Sequence, residues 1–195
     1  MAIRAHCFPR RFPQPLAGSD SMGVGVYYVR QRRPVNHAQL SIGAKTADVI
    51  ISPRITVRNL QRTVPVNVAM LQEFAANAVR HCLQLRKRKP TDLSKLRNIF
   101  VWLISDRRMS RLHRQFLGQT GPTDVLTFLH GEIFISVETA KRHARMFENP
   151  FTRELQLYIV HGLLHLHGFG DGTPAEARKM RRTQEKILRY CSSAL

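Results

Sequence analysis

The sequence predicts an α+β protein, with one mixed sheet of about four strands packed against about five helices. Three observations lead there. Runs with strand alternation and runs with helical spacing are interspersed along the chain, so neither an all-α nor an all-β fold fits. Two strand-like runs, DVLTFL and EIFIS, are separated only by His130-Gly131, which forces an antiparallel pair and excludes a purely parallel sheet. A hydrophobic content of 43% in 195 residues is enough for one sizeable core, and the length suits one domain with an appendage.

The elements follow in order. Residues 1–53 hold seven Lys or Arg against two Asp, five prolines and little apolar periodicity, so they are expected to form a largely disordered basic extension. Such a stretch also suits an RNA-tethering arm or an Arg-rich, acid-poor transit peptide, and a start at Met22 would shorten it. The domain proper is expected over 54–195. ITVRNL, from Ile55, alternates as a half-buried strand does. Val68, Leu71, Phe74, Ala75, Ala78 and Cys82 then recur at helical spacing behind Asn67, a plausible cap. A basic loop from Arg86 leads to the buried strand NIFVWLIS. DRRMSRLHRQFL follows as a short helix, with Met109, Leu112 and Phe116 inward and Gly118 as its stop. After the hairpin, one helix runs from Val137 to about Phe147. A longer helix begins with Thr152 as its cap and continues to Gly168, and the last starts at Pro174, a favoured first helical position.

The charge narrows the partners. Thirty-one Lys and Arg against 13 Asp and Glu give +18, of which +5 lies in residues 1–53 and +13 in the remainder. A body this basic attracts polyanions, so nucleic acid or an anionic surface is the expected neighbour. No apolar run approaches the roughly 20 residues of a membrane-spanning helix, and the N-terminus lacks the apolar stretch of a secretory signal. Three scattered cysteines with no CxxC pair argue against a disulfide framework or a thiolate zinc site and fit a reducing cytoplasm.

The chemistry concentrates in YIVHGLLHLHGFGDG. His161 and His165 stand four apart, which puts both imidazoles on one helix face within reach of one ion. Gly168 stops the helix and the chain turns, so Asp171 can swing back as a third ligand. His167 is the rival, although two residues past His165 it points to the other side of the helix. Three protein ligands leave a position open for water, the arrangement of a catalytic ion. A buried, hydrogen-bonded histidine pair is the bland alternative. Where HExxH peptidases carry the Glu base, this chain has Gly162, which disfavours peptidase chemistry and lets a strand or substrate come close.

Four runs, HGLLHLHGFGD from His161, GPTDVLTF from Gly121, GEIFIS from Gly131 and NLQRTVPVN from Asn59, lie in the order and spacing of a known family. The chain resembles the YbeY-type metal-dependent endoribonucleases, the ribosomal RNA maturation factors, over about residues 54–191. The resemblance implies a zincin-like α+β domain with one ion, zinc or another divalent transition metal. It further implies cleavage of single-stranded RNA in small-subunit ribosomal RNA maturation and ribosome quality control. Ribosomal RNA and the ribosome are then the partners, and a monomer is favoured.

Carried over residue by residue, the family's three-His pattern falls on His161, His165 and Asp171, a carboxylate in the third place. Two histidines and a carboxylate also make known catalytic zinc sites. A second departure is Leu117, where the family commonly has Arg, with Gly121 replacing the Lys of its Lys-Pro-Thr motif. Arg114, one turn earlier, is the expected phosphate stabiliser in its stead. Arg107, Arg108 and Arg111 join it as the expected RNA-contacting face, and Thr127 and His130 are candidate cleft residues. These departures also motivate an alternative, a ribosome-associated RNA-binding factor with a structural or degenerate metal site.

Overall fold

The computed structural model describes residues 3–6, 52–87 and 89–192. In chain order the elements are β1 (Ile3–His6), β2 (Arg54–Asn59), α1 (Val68–Leu83), α2 (Asp92–Lys95), β3 (Asn98–Ile104), α3 (Asp106–Leu117), β4 (Val125–Phe128), β5 (Glu132–Ser136), α4 (Val137–Met146), α5 (Phe151–Leu166) and α6 (Pro174–Ser192). One sheet has the strand order β1-β4-β5-β3-β2. β3 pairs in parallel with β2 and β5, while β4 pairs antiparallel with β5 and β1. The expected mixed sheet is therefore present with its antiparallel hairpin, and β1 adds a fifth strand.

β1 comes from the segment expected to be disordered, and most of that segment lies outside the described residues. The strand occupies the outer edge of β4, with Ile3 opposite Phe128 and His6 opposite Val125, so the backbone groups of that edge are paired.

Alternation divides the sheet into two faces. Ile55 and Val57 of β2, Ile99, Val101 and Leu103 of β3, Ile133 and Ile135 of β5 and Val125 of β4 are buried in one core with α1, α5 and α6. α5 is buried from Glu154 to His167, which explains its apolar character all round. The opposite face is covered over part of its area by α3, whose Met109, Leu112, Phe116 and Leu117 pack with Ile104, Leu126 and Phe128 in a second, smaller cluster.

Helix ends follow local chemistry, with one correction. Asn67 caps α1 by accepting from Met70 N–H at 3.1 Å, Ser105 caps α3 and Ser136 caps α4. Thr152 is not the cap of α5. The helix starts one residue earlier behind Pro150, without a side-chain cap, because the ring of Pro150 fixes the chain at the helix entry and its carbonyl accepts from Glu154 N–H at 3.2 Å. The four-residue α2, with its own capping box at Thr91, was not anticipated. Among the described residues, no helix is long and apolar enough to cross a membrane.

Candidate metal centre

Two residue types explain how α5 comes to lie against the sheet. Its apolar side chains provide the burial, and Gly162 provides the distance. A Cβ at Gly162 would lie 2.7 Å from Ile133 Cγ2, 2.9 Å from Ile133 Cδ1 and 3.0 Å from Thr127 Oγ1. The strands thus approach the helix backbone in the turn that carries His161 and His165. Thr127, a candidate for the cleft, is buried in this packing.

α5 ends in a Schellman turn. Phe169 N–H reaches back to Leu164 O and Gly168 N–H to His165 O, both at 2.9 Å, with Gly168 at φ +82°. The turn does two further things. It aims the Phe169 carbonyl at His165 Nδ1, 2.9 Å away, and it returns the chain so that Asp171 faces the helix again. Thr173 and Glu176 then form a capping box that starts α6 and fixes the far side of the loop.

The result is a compact triangle of donors. His161 Nε2 and His165 Nε2 are 2.9 Å apart, and Asp171 Oδ2 lies 3.7 Å from each. Three atoms at these separations lie on a circle of roughly 2 Å radius, which matches zinc–nitrogen and zinc–oxygen bonds of about 2.0 to 2.2 Å. Protonation supports the same reading. A carbonyl only accepts, so a neutral His165 carries its proton on Nδ1, which leaves Nε2, 3.7 Å from Asp171 Oδ2, as the nitrogen able to ligate. On the other side, the fully buried amide of Gln184, from α6, places its Nε2 3.4 Å from His161 Nδ1 and leaves its Oε1 without a donor. Turning the amide by 180° would satisfy that oxygen with His161 Nδ1–H and fix the equivalent tautomer in His161. Two imidazole lone pairs and a carboxylate converging on one point are a donor set that fits a divalent transition metal.

His167 is placed elsewhere. Its Nε2 faces Leu85 O at 3.1 Å and its Nδ1 faces Thr91 Oγ1 at 3.4 Å, so both ring nitrogens are taken by the protein. Burial lowers its pKa, with Lys87 adding to the effect, so it stays neutral as a structural link from α5 to the basic loop.

The remaining candidates lie across the sheet. Arg107, Arg108, Arg111 and Arg114 are exposed on α3, the helix of the opposite face. Leu117, where the family commonly has Arg, is half-buried in the apolar cluster there, so packing accounts for its side chain. His130 is exposed at the hairpin tip and pairs with Glu132 at 2.7 Å. Gln184 is the site residue that sequence reasoning missed. Its only signal was an uncharged polar side chain on the inward stripe of a strongly basic helix, between Met180 and Ile187.

A sheet packed on a buried helix that offers two histidines, with a carboxylate returned by the following turn, defines an α+β protein whose three converging donors could hold a metal ion. Comparison with known proteins makes the assignment specific. The chain belongs to the family described as Endoribonuclease YbeY, whose model matches residues 56–192. Similar curated proteins include an Endoribonuclease YbeY of Anaeromyxobacter sp. (39% identical over 101 residues, 47% of this chain and 53% of that protein) and one of Phocaeicola vulgatus (37% over 95 residues, 45% of this chain and 69% of that protein). The aligned segments thus cover just over half of the first relative and about two thirds of the second. The fold is shared with the solution structure of TM1509 from Thermotoga maritima, at a TM-score of 0.53 and 24% identity over 72% of this chain and 90% of that one.

Proposed function

We propose that this protein is a metal-dependent endoribonuclease that cleaves single-stranded RNA, acting in ribosomal RNA maturation and ribosome quality control in the cytoplasm. The observation that carries the reading is the convergence of His161 Nε2, His165 Nε2 and Asp171 Oδ2, with the outer nitrogen of His165 held by Phe169 O. His161, His165 and Asp171 would hold one ion, with zinc the first choice for two imidazoles and a carboxylate. When bound, such an ion supplies Lewis acidity, which acidifies water and polarises a phosphoryl oxygen. Phe169 O keeps His165 in the metal-binding tautomer, and Gln184, with its amide oxygen turned to Nδ1, would do the same for His161. The basic surface, including Arg107, Arg108, Arg111 and Arg114, holds the RNA backbone, as the net charge of +18 favours. Arg114, expected to balance charge at the scissile phosphate, belongs instead to this surface, because α3 lies on the sheet face away from the three donors.

The test is metal analysis of the purified protein followed by cleavage of a fluorescent single-stranded RNA, with a duplex of equal length as control. Wild type should cut the single strand and spare the duplex, while His165→Ala and Asp171→Ala should lose both metal and cleavage and His167→Ala should keep its metal. A second reading, an RNA-binding factor without catalysis, rests on Leu117, whose place in the apolar cluster leaves no cation at a position where the family commonly has one. Bound metal with no His165-dependent cleavage would favour it and sink the enzyme reading.

A further inference from the structure

Among the described residues, the sheet face opposite the three donors is only partly covered. By alternation it carries Arg54, Thr56 and Arg58 of β2, Phe100 and Trp102 of β3, and Glu132 and Phe134 of β5. α3 covers the β4 end, but toward β2 the surface opens and Phe100 is 37% exposed, on a strand whose other-face neighbours, Ile99 and Val101, are completely buried. The rings there are ordered. Phe100 stacks on Trp102 at 5.6 Å between centroids and 15° between planes, and Trp102 on Phe134 at 6.4 Å and 25°. Trp102 Nε1–H donates to Glu132 Oε1 at 3.1 Å, which fixes the indole in its plane.

We infer that this face is a second RNA-binding site, where a base of a single strand stacks on Phe100 and extends the Phe100–Trp102–Phe134 ladder while Arg54 and Arg58 take the neighbouring phosphates. Three features select this ligand. Near-parallel rings ending in an exposed aromatic offer a π-face to a flat partner, and an open sheet face with aromatics is a surface on which unpaired bases stack. The cations are placed for a polyanion, because Arg54 and Arg58 are both exposed, and Arg58 is in register with Trp102. The face's carboxylate, Glu132, is engaged by Trp102 and by His130, so its charge is partly offset. An acidic protein partner would use the arginines but gain nothing from the ring order, and a second copy of this +18 chain would bring like charge to like.

The inference rests on RNA as the ligand proposed above, yet its test reads binding and not cleavage. Failure here therefore leaves the metal reading standing, and loss of His165-dependent cleavage leaves this one standing. The probe is a fluorescein-labelled oligouridylate of twelve nucleotides, titrated into the full chain with excess EDTA to prevent cleavage. Heparin serves as a polyanion without bases. Phe100→Ala should weaken oligouridylate binding by about tenfold and leave heparin binding as in wild type, while Phe100→Tyr should restore wild-type affinity. Arg58→Ala should reduce the slope of log affinity against log salt by about 0.7. Emission of Trp102, the one tryptophan of the chain, should be quenched by oligouridylate and not by heparin.

Equal affinity of Phe100→Ala and wild type would overturn the proposal. So would a Phe100→Leu variant that binds as tightly as Phe100→Tyr, since apolar bulk would then suffice. Trp102 emission that shifts with protein concentration in the absence of RNA would instead assign the face to self-association and overturn it too.

Discussion

Gly162→Ala tests the claim that close packing of α5 on the sheet positions the histidines. The new methyl would meet Ile133 Cγ2 at 2.7 Å and Cδ1 at 2.9 Å, distances that real Cβ atoms essentially never show, with Thr127 Oγ1 at 3.0 Å. Ile133 is completely buried, so its branched end has little room to move away. Overpacking of this kind costs about 1–3 kcal/mol, whereas Ala is about 1 kcal/mol better than Gly in a helix interior. The net expectation is a loss of up to about 2 kcal/mol, or a thermal midpoint lower by up to roughly 8 °C for a domain of this size. The displaced helix turn carries His161, so metal affinity should fall as well. Urea denaturation of wild type, Gly162→Ala, Ile133→Ala and the double variant gives the decisive number. Removing Ile133's branches deletes the two carbon contacts, so the two substitutions should be non-additive by about 1 kcal/mol or more, the double variant being more stable than the sum of the singles predicts. Additive effects, or a Gly162→Ala protein more stable than wild type with unchanged metal affinity, would refute the close-packing argument.

Two further outcomes are expected. Gln184→Ala should lower zinc affinity by about 10- to 100-fold, read by competition with a chromophoric chelator, and Gln184→Glu should recover much of it because a carboxylate oxygen also accepts from His161 Nδ1. Asp124 is buried, and desolvation raises its pKa despite the bonds it accepts from Val125 N–H and Thr123 Oγ1. A carboxyl whose folded pKa is raised contributes stability below its unfolded pKa and loses it as pH rises through the folded value. Asp124→Asn should therefore flatten the stability curve between the unfolded and the raised folded value, measured by denaturant midpoints across pH, and an unchanged curve would mean that Asp124 does not titrate on unfolding.

Much of the fold was legible because its signals are local. The alternation of ITVRNL and EIFIS, the short link at His130-Gly131 and the 3.6-residue spacing from Val68 to Cys82 each depend on a few neighbouring residues; the structure has the strands, the hairpin and the helix, with the link one residue longer than expected because β4 ends at Phe128 and Leu129 joins the turn. The grouping of His161, His165 and Asp171 was legible for the same reason, since the three candidate donors lie within eleven residues and a glycine marks the turn between them. What could not be read depends on distant partners. Four residues, Ile3–His6, form a strand because β4 offers them an edge more than 100 positions away. Thr127 looked like a cleft residue until Gly162 of α5 was seen against it. Leu117 could be recognised as a departure, but its packing with the Ile104, Leu126 and Phe128 cluster depends on where α3 crosses the sheet. Gln184 acts on a histidine 23 residues earlier, and no pattern along α6 reveals that direction.

The Schellman turn after α5 makes the donor triangle a property of a short stretch of chain. Closing a loop of about ten residues costs little conformational entropy. The unfolded protein therefore keeps part of its affinity for the ion, as a flexible chelate of two imidazoles and a carboxylate. Ligand linkage stabilises a fold only through the difference between native and unfolded affinities. Metal should accordingly raise the stability of this protein by less than its native affinity alone implies, and the part that remains measures how far α5, Phe169 and Gln184 pre-set the donors.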